Sequence, residues 1–573
     1  IGRRLSGNVG GFIAALIVAI HPSFLTRTVG GFADTDAYNI LFPLFITWFF
    51  LEAFETKDKK KMLTYTALSA LFVGFFAASW GGWWYIMDFI IAATIVYLIY
   101  YALVNRHNLI NPLTLFKKPA FQSSALSLLL FIILSGIFVS IFTSFSTFWD
   151  GFYTSPTSFI TLKQVAIDTV WPNVFTTVAE QNPASLDNAI NQIGLRSTLL
   201  FFIALVGITL TTLRKKLSNS KELWFIIGAM LWFLLILAIK PQNLINFIAL
   251  ISIPLIIRII WMIKEKETGI DIKAAILLIL WFTTTIYAST KGIRFTLIAV
   301  PAFAIALGVG LATIYEWASK TLSNALNLNK KITQTTFLIA ILLLLITPFN
   351  NAKQVAVNEI PSMNDAWYTS LDQIDQIAEP DAIINSWWDF GHWFKMIGNR
   401  PVTFDGTSQN TPNAHWIGSV LLSDNQSYAL GTLRMVDCGQ NKAHNALNEE
   451  LQDTAKTVNH LHELVTMSEG EAKIYLQNEK ISEETITNTL QYTHCQPPEN
   501  YFITSQDMIG KAGVWGHFGA WNFNRALMYN TLQKKEYQDD VEKSANFLIE
   551  RFDMERTDAE NIYFEIQGIN NDR

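Results

Sequence analysis

Charge is scarce in this sequence. Only 16% of its 573 residues are charged, where an ordinary soluble protein carries about 25%. With 51% hydrophobic residues and a mean hydropathy of +0.27, the chain is embedded in a membrane over much of its length. A basic excess is also missing. The net charge of −5 excludes nucleic-acid binding, which needs a basic stripe. Two cysteines, Cys438 and Cys495, exclude a disulfide-dense scaffold and a paired-cysteine zinc site. The first apolar run has the flanks of an ordinary span, so the expectation is a membrane span there rather than a signal peptide. The chain opens Ile1-Gly2-Arg3-Arg4 without a methionine, so the expectation is that its true N-terminus lies upstream.

What the sequence does have is long apolar runs. Eleven candidate spans lie near 8–25, 39–54, 63–79, 82–104, 123–145, 196–213, 222–239, 242–263, 273–289, 294–317 and 332–349. Each is about long enough to cross a hydrocarbon core of roughly 30 Å. Basic residues mark every second connection: Arg3-Arg4, Lys57 to Lys61, Arg106 with Lys117-Lys118, Arg214 to Lys216, Lys264 with Lys266, and Lys330-Lys331. The positive-inside rule makes those loops cytoplasmic. The segments 26–38, 80–82, 146–195, 240–241, 290–293 and 350–573 then face outward. The fold class is therefore a polytopic α-helical membrane protein with a C-terminal extracytoplasmic mixed α/β domain. Residues 1–350 form the membrane domain and 351–573 the soluble one.

In the soluble part, 443–468, 470–479, 482–492 and 535–555 carry helical periodicity, and 382–385, 401–404 and 500–504 read as strands. Cys438 and Cys495 both fall in this outer, oxidising setting, which predicts a disulfide between them.

Three outer segments carry chemistry. Asp34 and Asp36 form a D-x-D pair preceded by Arg27; two carboxylates at this spacing can share a hard cation, and an arginine can hold phosphate oxygens. A solvated helix cap is the plain alternative. Glu180 precedes Asn182-Pro183 in the 146–195 loop, where a helix-end glutamate is the plain alternative. Arg294 sits at the outer start of the tenth span, against the charge rule; it holds a lipid phosphate or snorkels at the interface. In the soluble domain, Trp387, Trp388 and Asp389 stand together before Phe390, Gly391 and Trp393. Two indoles beside a carboxylate offer apolar faces, N–H donors and a charged acceptor. That suits a threonine side chain, and a buried aromatic cluster is the plain reading. His392, His415, Trp515, His517 and Trp521 read as structural.

Trp387-Trp388-Asp389-Phe390-Gly391 resembles the WWDYG signature of the catalytic subunit of oligosaccharyltransferase, with phenylalanine in the tyrosine place. The resemblance implies transfer of a glycan from a polyprenyl phosphate or pyrophosphate carrier to asparagine in Asn-X-Ser/Thr. It makes Trp387, Trp388 and Asp389 the binder of the acceptor hydroxyl. The second acidic motif of the family is similar to Asp34 and Asp36, implying Mn²⁺ or Mg²⁺ on Asp34, Asp36 and Glu180. Asp34 and Glu180 would also engage the acceptor amide, with Glu180 standing in a T/S-x-x-E motif (Thr177 to Glu180). Arg294 and Arg27 would bind the carrier's phosphate. Residues 507–515 are similar, loosely, to a second acceptor motif, implying that Met508 and Lys511 wall the pocket. Asp507 and Lys511 are four apart rather than three, and a lysine stands at 511 where an isoleucine would.

The family's first acidic motif has no counterpart before Gly10, so upstream residues are expected to be absent, and the chain as it begins here is expected to be inactive or weak. The continuation His392-Trp393 is similar to archaeal, single-subunit members, implying a multi-pass protein of the plasma membrane. Implied partners are the lipid-linked donor, the membrane and sequon-bearing polypeptides. Two other readings are a lipid-linked-sugar flippase and a polyprenyl-phosphate-sugar-dependent O-glycosyltransferase. The flippase predicts charges inside spans, and within 123–145, 242–263 and 332–349 only Arg258 qualifies. Asn425-Gln426-Ser427 has the form of an acceptor sequon within the outer domain.

Overall fold

A computed structural model of the chain describes residues 1–30, 34–105, 117–155, 165–166, 169–213, 220–241, 243–265 and 272–571. Arg106, Arg214, Lys215, Lys216 and Lys266 of the basic loops lie outside the described residues. The chain divides into two compact units, Ile1–Phe159 with Ala179–Ser362, and Ile160–Val178 with Met363–Arg573. The first unit thus runs beyond residue 350, because the helix Ile346–Asn358 continues the last apolar segment.

Among the described residues, nine helices are long and apolar enough to cross a membrane, or up to eleven if each of two bent pairs is one span. The bent pairs are Leu186–Ile193 with Thr198–Thr211, at 80°, and Lys330–Leu344 with Ile346–Asn358, at 43°. The first helix, Gly2–Ile20, is kinked at Ser6 and Gly7, where the backbone is not helical, so its longer part starts close to the expected residue 8 and ends at Ile20 rather than 25. It stops before Pro22, whose ring opens the next short helix with His21 as its cap. The helix Ile293–Leu326 is the most deeply buried span. Its run of small residues, Ala302 to Ala312, lets backbones close in. A Cβ on Gly308 would lie 2.5 Å from Gly10 O, and one on Gly310 2.6 Å from Ile203 O. Outward side chains such as Leu231 and Ile239 are exposed apolar residues, as a lipid-facing surface requires. Arg258 is buried and internally satisfied: Nε donates to Thr212 O at 3.1 Å, Nη2 lies 3.6 Å from Glu222 Oε1, and the guanidinium stacks over Trp261.

The second unit is mostly helical, and among the described residues its mixed character is confined to one two-stranded parallel sheet and isolated bridges. Strand β1, Ile383–Asn385, pairs with β2, Asn500–Phe502, in the register Ile384 to Tyr501. The 401–404 segment contributes only a single bridge, Val402 to Ile384, instead of a strand. The expected 443–468 helix is broken into Lys442–Leu451 and Thr454–Leu464, where Gln452 turns left-handed and Asp453 caps the second piece. Likewise 535–555 forms Lys535–Gln538 and Val541–Phe552. Ser468 and Glu471 close a capping box on Glu469–Asn478. Cys438 and Cys495 are joined in a disulfide that ties the end of helix Gln426–Gly439 to the approach to β2. Residues of the long 146–195 loop belong to this unit too: Trp171 packs edge-on against Phe523, and Trp521 Nε1 donates to Val170 O at 3.0 Å.

Candidate functional site

In the first unit, three short turns deliver charged side chains to one place. The helix Pro22–Leu25 ends so that Arg27 N bonds Phe24 O, which projects Arg27. Asp34 caps the 3₁₀ turn Thr35–Ala37 by accepting from Thr35 N at 2.6 Å, and Asp36 lies inside that turn. The turn Ala179–Gln181 carries Glu180, and Ile293–Phe295 carries Arg294. Gly292 has a steric reason to be glycine, since a Cβ there would meet Gln181 Cα at 3.2 Å.

Carboxylates and guanidiniums alternate here. Arg27 Nη2 pairs with Glu180, and Arg27 Nε lies 3.6 Å from Asp36 Oδ2. Arg294 Nη2 lies 3.4 Å from Asp36 Oδ1 and 3.8 Å from Asp34 Oδ2, while its Nη1 lies 3.9 Å from Glu180 Oε2. Three carboxylates against two guanidiniums leave the cluster negative. Asp36 is 1% exposed, and Asn39, one helical turn on, donates to its Oδ1 at 3.0 Å. Among the described residues, the buried Asp36 Oδ2 and Asn39 Oδ1 accept no hydrogen bond. Buried oxygens left in this way are costly unless something else engages them, and hard oxygen donors fit Mg²⁺ or Mn²⁺. No group of three His, Cys, Asp or Glu side chains gathers as a ready metal cage among the described residues. The sequence reading found both aspartates, both arginines and Glu180; it missed Asn39 and Gly292. The i, i+3 spacing of Asp36 and Asn39 was the available signal.

In the second unit, β1 leads directly into the tryptophans. Ser386 Oγ donates to Ile503 O at 2.8 Å, and Asn385 Nδ2 donates to Asp437 at 2.9 Å. The two indoles then part. Trp387 is buried between Phe404 and Phe518. Trp388 is half-buried, and its Nε1 is a buried donor without an acceptor among the described residues. Asp389, on the 3₁₀ turn Trp388–Phe390, lies 3.0 Å from Lys511 Nζ, which also reaches Asp507 Oδ2 at 2.9 Å. Burial raises the Asp389 carboxyl above the usual carboxylate range, with Lys511 opposing. Met508 is buried, and its carbonyl accepts from Trp515 Nε1 at 2.9 Å. Lys511 therefore makes ionic contacts with Asp389 and Asp507, where an isoleucine would have made apolar ones.

Gly391 closes the motif because a Cβ would stand 2.6 Å from Asp405 Cβ and 2.7 Å from Phe404 O. Asp405 holds that junction through Lys395, Thr407 and Ser408, whose donors outweigh its burial and keep its carboxyl well below the usual range. His392 Nδ1 lies 3.7 Å from the same carboxylate. His415 faces His462 at 3.2 Å, and Tyr428 Oη lies 2.6 Å from His462 Nδ1. Burial pushes His415 down to about 3 and His462 to about 4, so both are neutral packing groups. Asp437, Asp405 and His462 were not legible as supports, since their partners are distant in sequence.

Fold and residues together define a polytopic membrane protein with an acidic–arginine cluster in one unit and an indole–carboxylate patch in the other. Residues 1–350 match the family described as oligosaccharyl transferase STT3, N-terminal, and the chain belongs to that family. A dolichyl-phosphooligosaccharide-protein glycotransferase of Methanococcus voltae is 30% identical over 91% of this chain and 61% of its own length. The protein of that name from Methanocaldococcus jannaschii is 25% identical over 91% of this chain and 65% of its own. The chain thus spans less than two thirds of either relative. A solved Archaeoglobus fulgidus oligosaccharyltransferase, in complex with an inhibitory peptide and a dolichol-phosphate, aligns with a TM-score of 0.47 at 16% identity, covering 76% of this chain and 55% of that one.

Proposed function

We propose that this chain is the catalytic part of an oligosaccharyltransferase that moves a glycan from a polyprenyl (dolichyl) phosphate or pyrophosphate carrier to asparagine in Asn-X-Ser/Thr. The observation that carries the reading is Trp388 Nε1, a buried donor without an acceptor beside the partly exposed carboxylate of Asp389. An acceptor hydroxyl satisfies both at once: its oxygen accepts from the indole and its hydrogen is donated to the carboxylate. A side chain without a hydroxyl leaves them unpaired, which is an effective way to discriminate. Trp387 supports this patch from the core, and Met508 and Lys511 form its wall.

The cluster of the first unit serves the other half of the reaction. A carboxamide nitrogen is a poor nucleophile, because its lone pair is delocalised into the carbonyl. Asp34 and Glu180 accept hydrogen bonds from the amide N–H groups and help localise that pair. Arg294 and Arg27 hold the phosphate oxygens as negative charge grows on the leaving group. Asp34, Asp36 and Glu180 would hold a divalent cation, Mn²⁺ or Mg²⁺, with Asn39 as a further oxygen donor. When bound, it supplies Lewis-acid stabilisation of the departing phosphate. The site and the second unit lie on the extracytoplasmic side of the plasma membrane, and the protein acts as a single subunit; alternation of basic loops and the archaeal relatives support this.

The test is glycan transfer by the full-length protein from a lipid-linked donor to matched peptides bearing Asn-X-Thr or Asn-X-Ala, with Mn²⁺ or EDTA. Transfer only to the threonine peptide and only with metal supports the reading. Lipid-linked sugar crossing the bilayer without any peptide product would replace it with a flippase. Arg258 already has Glu222 and Thr212 as partners within the first unit.

A further inference from the structure

Across all 573 residues, Asn425-Gln426-Ser427 is the sole Asn-X-Ser/Thr sequence in which X is not proline. It falls on the surface of the second unit, where Asp424, Asn425, Gln426 and Ser427 are all exposed. Asn425 is the cap of helix Gln426–Gly439, and its Oδ1 accepts from Tyr428 N at 3.2 Å. Among the described residues its Nδ2 donates no hydrogen bond. Substitution on that nitrogen leaves the oxygen, and with it the cap, in place.

We propose that Asn425 is a modification site carrying an N-linked glycan, placed by another copy of this enzyme before the helix Gln426–Gly439 folds. The inference rests on the activity proposed above. In the transfer, a bond forms between Asn425 Nδ2 and the anomeric carbon of the lipid-linked glycan. The bond from that carbon to the carrier's phosphate oxygen breaks, and the phosphate leaves with the electron pair. Nδ2 gives up one proton and remains a secondary amide.

The order of events follows from geometry. An acceptor must give its hydroxyl to the Trp388–Asp389 patch while the chain around it is extended enough to leave its asparagine free to react. In the folded chain, Gln426 and Ser427 are already wound into the first helical turn. Ser427 and the patch belong to the same compact unit, so a folded chain does not offer this sequon to its own pocket. The unfolded segment does offer it, to a neighbour. A glycan so placed then sits at an exposed helix end, where it displaces no buried side chain.

The experiment is mass spectrometry of the peptide containing Asn425, from full-length protein made in cells that hold the lipid-linked donor. Two variants remove the sequon and keep the helix start: Asn425→Asp, since aspartate caps as well as asparagine, and Ser427→Ala, a good helix former at an exposed position. The expected result is glycan on the parent, none on either variant, and unchanged transfer by both variants to an external peptide. An Asp34→Ala chain, which cannot turn over, is expected to be bare when made alone and modified when co-expressed with the active protein. Purified protein from donor-free cells, once folded, is expected to stay unmodified when donor is added, while a synthetic peptide spanning 420–430 is modified in the same tube. A modified peptide alongside a bare Asn425 in the donor-containing cells overturns the proposal and leaves the enzyme reading standing. Modification of the purified, folded chain overturns its order of events. Failure to modify any sequon peptide overturns the enzyme reading, and this proposal with it.

Discussion

Trp388 and Asp389 are adjacent in the chain and lack opposite things. The indole nitrogen has a proton and no acceptor among the described residues; the carboxylate is paired with Lys511 and remains partly exposed. Removing only the indole nitrogen, by Trp388→Phe, separates recognition from folding. Without bound peptide the variant no longer buries an unpaired donor, so its thermal stability is expected to hold or rise. With peptide it lacks one neutral hydrogen bond of about 0.5–1.5 kcal/mol, so KM for a threonine sequon is expected to increase about 2- to 12-fold. An unchanged KM would take Trp388 out of the acceptor site.

Asp437 is the other informative residue. Burial pushes its carboxyl from 3.8 up to about 6, opposed by donors from Asn385 and Asn500. A raised carboxyl means that the folded state prefers the protonated form. That contribution is fully present below the unfolded value and is lost as pH rises through about 6. Above that, holding the carboxylate costs the fold about 2–3 kcal/mol. Asp437→Asn removes the charge and is expected to raise the unfolding temperature at pH 8 while leaving it unchanged near pH 4. A difference that does not vary with pH would mean that Asp437 acts through its shape alone.

Among elements, the helix Ile293–Leu326 does two jobs: its N-terminal end carries Arg294, and its small residues draw other spans to it. Gly310 and Gly228 separate the two contributions of a glycine. A Cβ on Gly310 would stand 2.6 Å from Ile203 O, whereas one on Gly228 would meet nothing within 4 Å. Both lie in helix interiors, where glycine costs roughly 0.5–1 kcal/mol relative to alanine. Gly228→Ala is therefore expected to stabilise the protein in detergent. Gly310→Ala should destabilise it by about 1–3 kcal/mol, because overpacking forces two backbones apart. Equal effects in a thermal melt would show that Gly310 is not a packing contact.

The same comparison explains which elements were legible. Apolar runs gave the positions of the spans, since hydropathy is a local property of about twenty residues, but not all their ends: the expected 294–317 runs on to Leu326, and the expected 332–349 bends and runs on to Asn358. The bend at Leu345 was not legible, because it falls inside apolar sequence, whereas Gly194-Leu195-Arg196-Ser197 breaks the chain where the sixth span was expected to begin. The 443–468 segment kept helical periodicity across Gln452 and Asp453, and only the left-handed turn at Gln452 divided it.

For the molecule as a whole, the reading divides labour between units, and kinetics can test that division. Asp34→Ala removes a carboxylate from the acidic cluster and leaves the indole patch intact. It is expected to abolish turnover while labelled threonine peptide still binds. Asp389→Ala is expected to do the reverse at low peptide concentration, weakening peptide binding by tenfold or more, as loss of a hydrogen bond to a charged group of about 1.5–3 kcal/mol requires. Identical losses in binding and turnover for both variants would mean that the two groups do not have separate roles.

By itself the sequence determined that the chain spans a membrane repeatedly and that a further domain follows, and it singled out the motifs proposed to carry the chemistry. Those properties are written in local composition and in short motifs whose residues are neighbours. Only the tertiary structure decided how those residues are used. It buried Trp387 and left Trp388 Nε1 without an acceptor, and it interleaved Arg27 and Arg294 with three carboxylates from separate segments. It also enlisted Asn39, Asp405 and Asp437 as supports. The physical reason is that burial and pairing depend on contacts between residues far apart in the chain, and no local pattern encodes them.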